Sequence, residues 1–252
     1  MEHSSQSLHW RDPLSRGDIS GVLAVDKPEG LTSHDVVNCI RRKLKIKRVG
    51  HGGTLDPICT GLLIILIGRA TKLAHVFTTS DKVYEGTMRL GQKTDSHDAE
   101  GKVICEGDWR SITREQLENV LQQFRGDVLQ VPPMLSAVKV DGIPLYKRAR
   151  RGEIVERPPK LVHIYELEVI RFAPPDVDFR VRCTKGTYVR TLCSDIGEKL
   201  GCYAYMAKLR RIASGNINVK DAIPLSEIMD MEREKLLEKL IPLSQFKERF
   251  MH

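Results

Sequence analysis

Hydrophobic positions along this chain recur with two different periods, and the places where the period changes mark its elements. Gly21 to Val25 is a short apolar stretch ending at Asp26-Lys27-Pro28, which reads as a buried strand leaving a sheet. Thr32 or Ser33 can then cap a helix whose Val36, Val37, Ile40 and Leu44 share one face, leaving Arg41, Arg42 and Lys45 toward water. The Gly-rich stretch GHGGTLDPICTG, residues 50 to 61, breaks regular structure before a strand from Leu62 to Ile67. Tyr84, Gly86, Met88 and Leu90 alternate with Glu85, Thr87 and Arg89, the pattern of a half-buried strand. Thr113 with Gln116 forms a capping box ahead of Leu117, Val120, Leu121 and Phe124 at helical spacing, and Gly126 stops that helix.

Val177, Phe179, Val181 and Cys183 give the clearest alternation in the chain. Tyr188, Leu192, Ile196 and Leu200 then repeat every four residues up to Gly201, where a helix C-terminus favours glycine. Met134 to Lys160 is basic and weakly periodic, with several Gly and Pro residues. It is expected to be an insertion lying over the surface, a mobile arm outside the core. Strands and helices do not alternate regularly, and no linker or repeat divides the chain. The expectation is one α+β domain over residues 20–252, with the insertion at about 132–160, after a flexible tail at residues 1–19.

Composition narrows the function classes. The longest apolar run, Leu62 to Ile67, is far shorter than the roughly 20 residues of a membrane-spanning helix, so no membrane is expected as a partner. The N-terminus has neither a secretory apolar stretch nor the acid-poor character of a transit peptide, and a cytoplasmic location is expected. The six cysteines include no C-x-x-C pair, so they suggest neither a zinc site nor a disulfide framework. Net charge is +7, concentrated in two places: six of the eight residues from Arg41 to Arg48, and a cluster of Lys139, Lys147, Arg148, Arg150, Arg151, Arg157 and Lys160. Such clusters fit phosphate contacts on a polyanion, and they fit two solvated basic faces equally well.

The stretch from Gly50 to Gly61 is not a phosphate loop. Both the dinucleotide fingerprint and the P-loop would need glycine where Leu55 stands. It presents a carboxylate instead, Asp56, fixed by Pro57 and approached through glycines that allow a bulky ligand near the backbone. A loop aspartate by itself is more often a turn former or a cap than a catalyst.

The combination of motifs is more specific. GHGGTLDPICTG with Asp56, DKVYEG with Tyr84 and CTKGTYVRTLCSDIGEKLG with Arg190 follow one another in the order and approximate spacing of the TruB family of tRNA pseudouridine(55) synthases. GVLAVDKPEGLTSHD, RLGQKTDSHDAEG, VPPMLSAVKVDGIPLYKRARRG and MAKLRRIASG extend the resemblance over roughly residues 20 to 225. It implies the pseudouridine synthase fold, a mixed and mainly antiparallel sheet flanked by helices, with a cleft across the sheet and a basic thumb-like insertion gripping RNA.

The resemblance also implies roles for single residues. Asp56 would act on the ribose of the target uridine, Tyr84 would pack on the flipped uracil and handle its C5 proton, and Arg190 would pair with Asp56. His51 would lie where the base is extruded, and Leu209 would line the uracil pocket. Tyr188, Lys27, Lys82, Lys139, Lys147, Arg148 and Arg151 are further candidates for contact with substrate or RNA. Isomerisation gains and loses no atom, so no cofactor or metal is expected. The implied partner is the T-arm of tRNA. After Pro242 ten residues remain, too few for the C-terminal RNA-binding module of many bacterial relatives, and a monomeric stand-alone enzyme is expected. Two alternatives stay open: a tRNA-folding factor in which catalysis is secondary, and a nucleosidase that releases uracil.

Overall fold

The strand Cys59–Ile67 is apolar at every position from Leu62 onward because both of its faces are covered. Leu63, Ile65 and Ile67 enter the larger core with Leu23, Val25, Val36, Ile40 and Leu44, while Leu62, Ile64 and Leu66 pack in a smaller one with Ala70 and Phe77. Each fully buried side chain of this kind contributes about 1.5–3 kcal/mol of transfer free energy. The computed structural model describes residues 19–245 other than 137, 141, 150, 154 and 244. The expected N-terminal tail lies outside the described residues except for Ile19.

Strand Gly21–Lys27 pairs antiparallel with Cys59–Ile67, from Gly21 opposite Ile67 to Lys27 opposite Gly61. Helix Ser33–Leu44 covers this pair, and Thr32 is its cap. The Thr32 hydroxyl accepts the Asp35 N–H at 3.1 Å, and the Asp35 carboxylate accepts the Thr32 N–H at 2.9 Å. A cap of this type contributes about 1 kcal/mol.

The main sheet runs in the order Ile223–Pro224, Gly21–Lys27, Cys59–Ile67, Ala204–Ser214, Lys82–Leu90, Asp176–Cys183, Lys160–Ala173 and Gly126–Gln130, with short strands attached at its sides. Most pairs are antiparallel. Among the described residues two are parallel, Gly21–Lys27 with Ile223–Pro224 and Cys59–Ile67 with Ala204–Ser214. The second of these sets Leu209 opposite Cys59 and brings the chain beside the Gly-rich loop. The helices Arg114–Gln122 and Val189–Leu200 pack against each other, the first on strand Lys160–Ala173 and the second on strand Ala204–Ser214. Thr113 and Gln116 form the expected capping box, and Gly201 ends the second helix in the left-handed region.

The segment between strands Gly126–Gln130 and Lys160–Ala173 holds a small hairpin, Lys139–Val140 with Ile143–Pro144, and the helix Leu145–Ala149. It departs from a purely superficial insertion. Pro132, Pro133, Ser136 and Leu145 are buried, and the carbonyl of Leu135 reaches Arg190.

Candidate active site

The loop Gly53–Pro57 joins the short strand Val49–His51 to the long strand Cys59–Ile67, and most of its backbone carbonyls are taken up by residues distant in sequence. The Arg211 guanidinium donates to the carbonyls of Gly53 at 3.2 Å and Thr54 at 3.3 Å. The Ser33 hydroxyl donates to the Leu55 carbonyl at 3.0 Å and accepts the Leu55 N–H at 2.8 Å. The Cys59 N–H donates to the Asp56 carbonyl, and both the Gly30 N–H and the Lys27 ammonium donate to the Pro57 carbonyl. A loop whose carbonyls are all satisfied by buried donors holds its side chains in one direction. The glycines serve this packing. A Cβ on Gly52 would sit 2.5 Å from Phe77, and Gly53 adopts φ +136°, so internal fit alone is enough to require glycine at both.

Asp56 projects from this loop into a cavity of about 260 Å³, lined also by Tyr84, Tyr188, Arg190, Leu209, Met206, Ser136 and Leu135. One Asp56 oxygen lies 3.2 Å from Arg190, near the start of helix Val189–Leu200. The same guanidinium donates to Asp98 at 3.1 Å and to the Leu135 carbonyl at 2.6 Å. Arg190 and Asp98 are both buried, their side chains 7% and 3% exposed. Removing one member of such a pair costs about 3–5 kcal/mol, so Arg190 is fixed whatever the cavity contains. Asp98 is in turn held by the Ser96 hydroxyl at 2.5 Å and the Glu100 N–H at 3.2 Å.

Burial pushes the Asp56 carboxyl above the ordinary carboxylate range; Arg190 opposes that shift, Asp98 adds to it and Lys27 opposes it. Tyr84 reaches the cavity from strand Lys82–Leu90, its phenol pushed up to about 12 by burial. Tyr188 immediately precedes helix Val189–Leu200, and its backbone exchanges hydrogen bonds with the buried side chain of Gln130, N–H to Oε1 at 2.7 Å and Nε2 to carbonyl at 3.1 Å. The buried Ser136 lines the same cavity as Tyr188. A carboxylate, an aromatic ring and aliphatic side chains thus converge on one half-open cavity, which suits a planar base with its sugar presented to the acid.

The expected site residues therefore divide. Asp56, Tyr84, Tyr188, Arg190 and Leu209 share the cavity. His51, in strand Val49–His51, does not line it. Its Nδ1 accepts the Gly53 N–H at 3.4 Å, and burial, with Arg211 and His34 nearby, lowers its pKa.

Two expected RNA contacts are corrected. Lys27 is fully buried and donates to the carbonyls of Pro28, Leu31 and Pro57. Lys82 is 6% exposed and donates to those of Phe77, Thr78 and Ser80. Both ammonium groups are bound inside the protein, out of reach of a phosphate, and burial lowers their pKa values, that of Lys82 to about 8.

In the basic segment Lys147 and Arg151 are exposed, while Arg148 donates to the Val140 carbonyl at 3.1 Å. The side chain of Lys139 lies outside the described residues. Three residues in the site's machinery had escaped the sequence reading: Asp98, Arg211, and Ser33 in its role as loop anchor. Asp98 and Arg211 stand within quoted motifs, RLGQKTDSHDAEG and MAKLRRIASG, and that was the available signal.

Comparison with known proteins adds an independent line. Residues 41–189 match the family model of the TruB family pseudouridylate synthase N-terminal domain, and residues 190–245 match that of the tRNA pseudouridylate synthase B C-terminal domain. The chain is 50% identical over 230 residues to a tRNA pseudouridine synthase B of Opitutus terrae, covering 91% of this chain and 95% of the relative. It is 43% identical over 227 residues to another, of Syntrophotalea carbinolica, covering 90% and 74%. Among solved structures it resembles a chain of a Cbf5-Nop10-Gar1 complex with 30% identity and a TM-score of 0.71, covering 91% of this chain and 62% of that one.

Proposed function

The chain belongs to the TruB family of pseudouridylate synthases, isomerases that form pseudouridine in tRNA, and from that premise we propose that it acts on the T-loop uridine at position 55 with Asp56 as its essential carboxylate. The observation that carries this reading is the position of Asp56, paired with Arg190 and facing a cavity walled by Tyr84 and Leu209.

The reaction breaks the bond from C1′ to N1, turns the uracil and rejoins it through C5. Asp56 must be ionised to serve either as nucleophile at C1′ or as base at the ribose, and Arg190 keeps it charged against the effect of burial. Tyr84 and Leu209 confine the detached base on an aromatic and an aliphatic wall. Tyr84 handles the C5 proton, and the enclosure excludes the water that would divert the intermediate to hydrolysis. Extruding the base costs a few kcal/mol, which contacts from His51 and the exposed cations Lys147 and Arg151 offset. The enzyme works alone, in the cytoplasm, as a monomer.

The test is incubation of the purified protein with unmodified tRNA transcript, followed by carbodiimide treatment and primer extension. A stop at the T-loop uridine, absent with Asp56→Ala, is expected. Release of free uracil in place of that stop would sink the proposal in favour of a nucleosidase.

A further inference from the structure

Arg211 is 2% exposed, yet none of the ion pairs among the described residues includes it. Its Nε donates to the Leu62 carbonyl at 2.7 Å and its two terminal nitrogens to Thr54 and Gly53. A guanidinium remains charged at any pH a protein survives, and a buried one ordinarily has a carboxylate beside it. Here the neighbours are carbonyls and one phenol. Arg211 is the cross-strand partner of Tyr84, so the two side chains share one face of the sheet, and the charge of the guanidinium favours the ionised phenol.

The other titratable groups around Tyr84 supply no negative charge to balance it. Cys59 and Cys183 are thiols that burial pushes up to about 12 and about 11, and Lys82, from the same strand as Tyr84, is a second cation near Arg211. Asp56, across the cavity, is paired with Arg190.

We propose that Arg211 is a positioning residue that acts through Tyr84: a permanently charged buried guanidinium whose counter-anion is the Tyr84 phenolate formed during the proton transfer from C5 to N1. The inference rests on the reading of Tyr84 given above. In the step it serves, the Tyr84 phenol gives its proton to N1, directly or through water, and becomes the phenolate. The phenolate oxygen then takes the C5 proton, the electron pair of the C5–H bond returns to the ring, and the phenol is restored. One proton has moved from C5 to N1, and nothing else is consumed. Before that transfer the phenol must ionise in a buried setting that opposes ionisation, and a guanidinium with no other anion to satisfy is the group that stabilises the result. The arrangement costs stability in the resting enzyme and recovers it as the negative charge develops.

A double-mutant cycle in single-turnover isomerisation of tRNA tests this, with Arg211→Lys, Tyr84→Phe and the pair. Arg211→Lys is expected to slow the chemical step at least about 10-fold in the wild-type background, and less than about 2-fold once Tyr84 is Phe, with tRNA affinity unchanged throughout. An equal loss in both backgrounds would mean that Arg211 merely props the Gly53–Thr54 carbonyls, and the proposal fails. If Tyr84→Phe alone leaves the rate intact, the role of Tyr84 itself is wrong, which is a distinguishable result.

Should Arg211→Lys fail to fold, fluorinated tyrosine at position 84 leaves Arg211 untouched and lowers the phenol's own pKa. The basic limb of the rate against pH then moves to lower pH. A limb that stays in place overturns the proposal.

Discussion

The loop Gly53–Pro57 and the segment Met134–Lys160 are both irregular stretches rich in Gly and Pro or in charge, yet they are built on opposite principles. Every carbonyl of the first accepts a hydrogen bond, three of them from two buried cations, Lys27 and Arg211. The second points Lys147 and Arg151 outward and is tied down at a few places, chiefly Leu145 in the core and the Leu135 carbonyl on Arg190. Positive charge therefore does two unrelated jobs in this protein. Buried cations organise backbone around a reacting carboxylate, and exposed ones are available to a polyanion. Counting lysines and arginines does not separate the two.

The largest effect should come from removing the group that the fixed loop exists to present. Asp56→Ala is expected to lower the single-turnover rate on the order of 10³-fold or more while leaving tRNA affinity unchanged, measured by rapid quench and filter binding. Next, Lys27→Met probes the loop's anchor without touching the cavity. It strands the Pro28 and Leu31 carbonyls and leaves that of Pro57 with the Gly30 N–H alone, so stability should fall by about 2–3 kcal/mol in urea titration and the rate by about 10-fold or more. The salt dependence of tRNA binding should stay as in the wild type. A changed salt slope would show that Lys27 meets phosphate after all.

The pH profile comes third. Burial raises the Asp56 carboxyl above its ordinary value of 3.8, and the ionised form is the active one, so the acid limb of the single-turnover rate lies above that value. Arg190→Met removes the opposing charge and should move the limb to still higher pH. The same raised pKa means that charged Asp56 disfavours folding at neutral pH, a penalty relieved as pH falls through the raised value. Smallest is the effect of Lys147→Ala or Arg151→Ala. Each should weaken tRNA binding modestly and reduce the slope of log affinity against log salt by about one, with the rate at saturating tRNA unaltered.

Much of this molecule was legible in its sequence because the relevant signals are local. The cap offered by Thr32 or Ser33, the capping box at Thr113, the alternation from Val177 to Cys183 and the four-residue repeat stopped by Gly201 all act within a few residues, and each predicted its element. Asp56, Tyr84 and Arg190 emerged from motifs in a family-like order. The misreadings concern long-range polar contacts. Asp98 and Arg190 are 92 positions apart and Arg211 and Gly53 158, and no periodicity encodes such meetings. Lys27 is instructive, since period-two alternation already put it on the side of Leu23 and Val25, both buried. Treating lysine as a surface residue overrode a pattern that was correct.

Arg190 is bonded at once to residues 56, 98 and 135, all synthesised before it. A nascent chain that has not yet delivered residue 190 therefore holds its carboxylate without the charge that keeps it ionised. Competence waits on Arg190 and on the strand Ala204–Ser214 that follows it, so copies truncated before residue 190 would lack both the paired charge and a wall of the cavity.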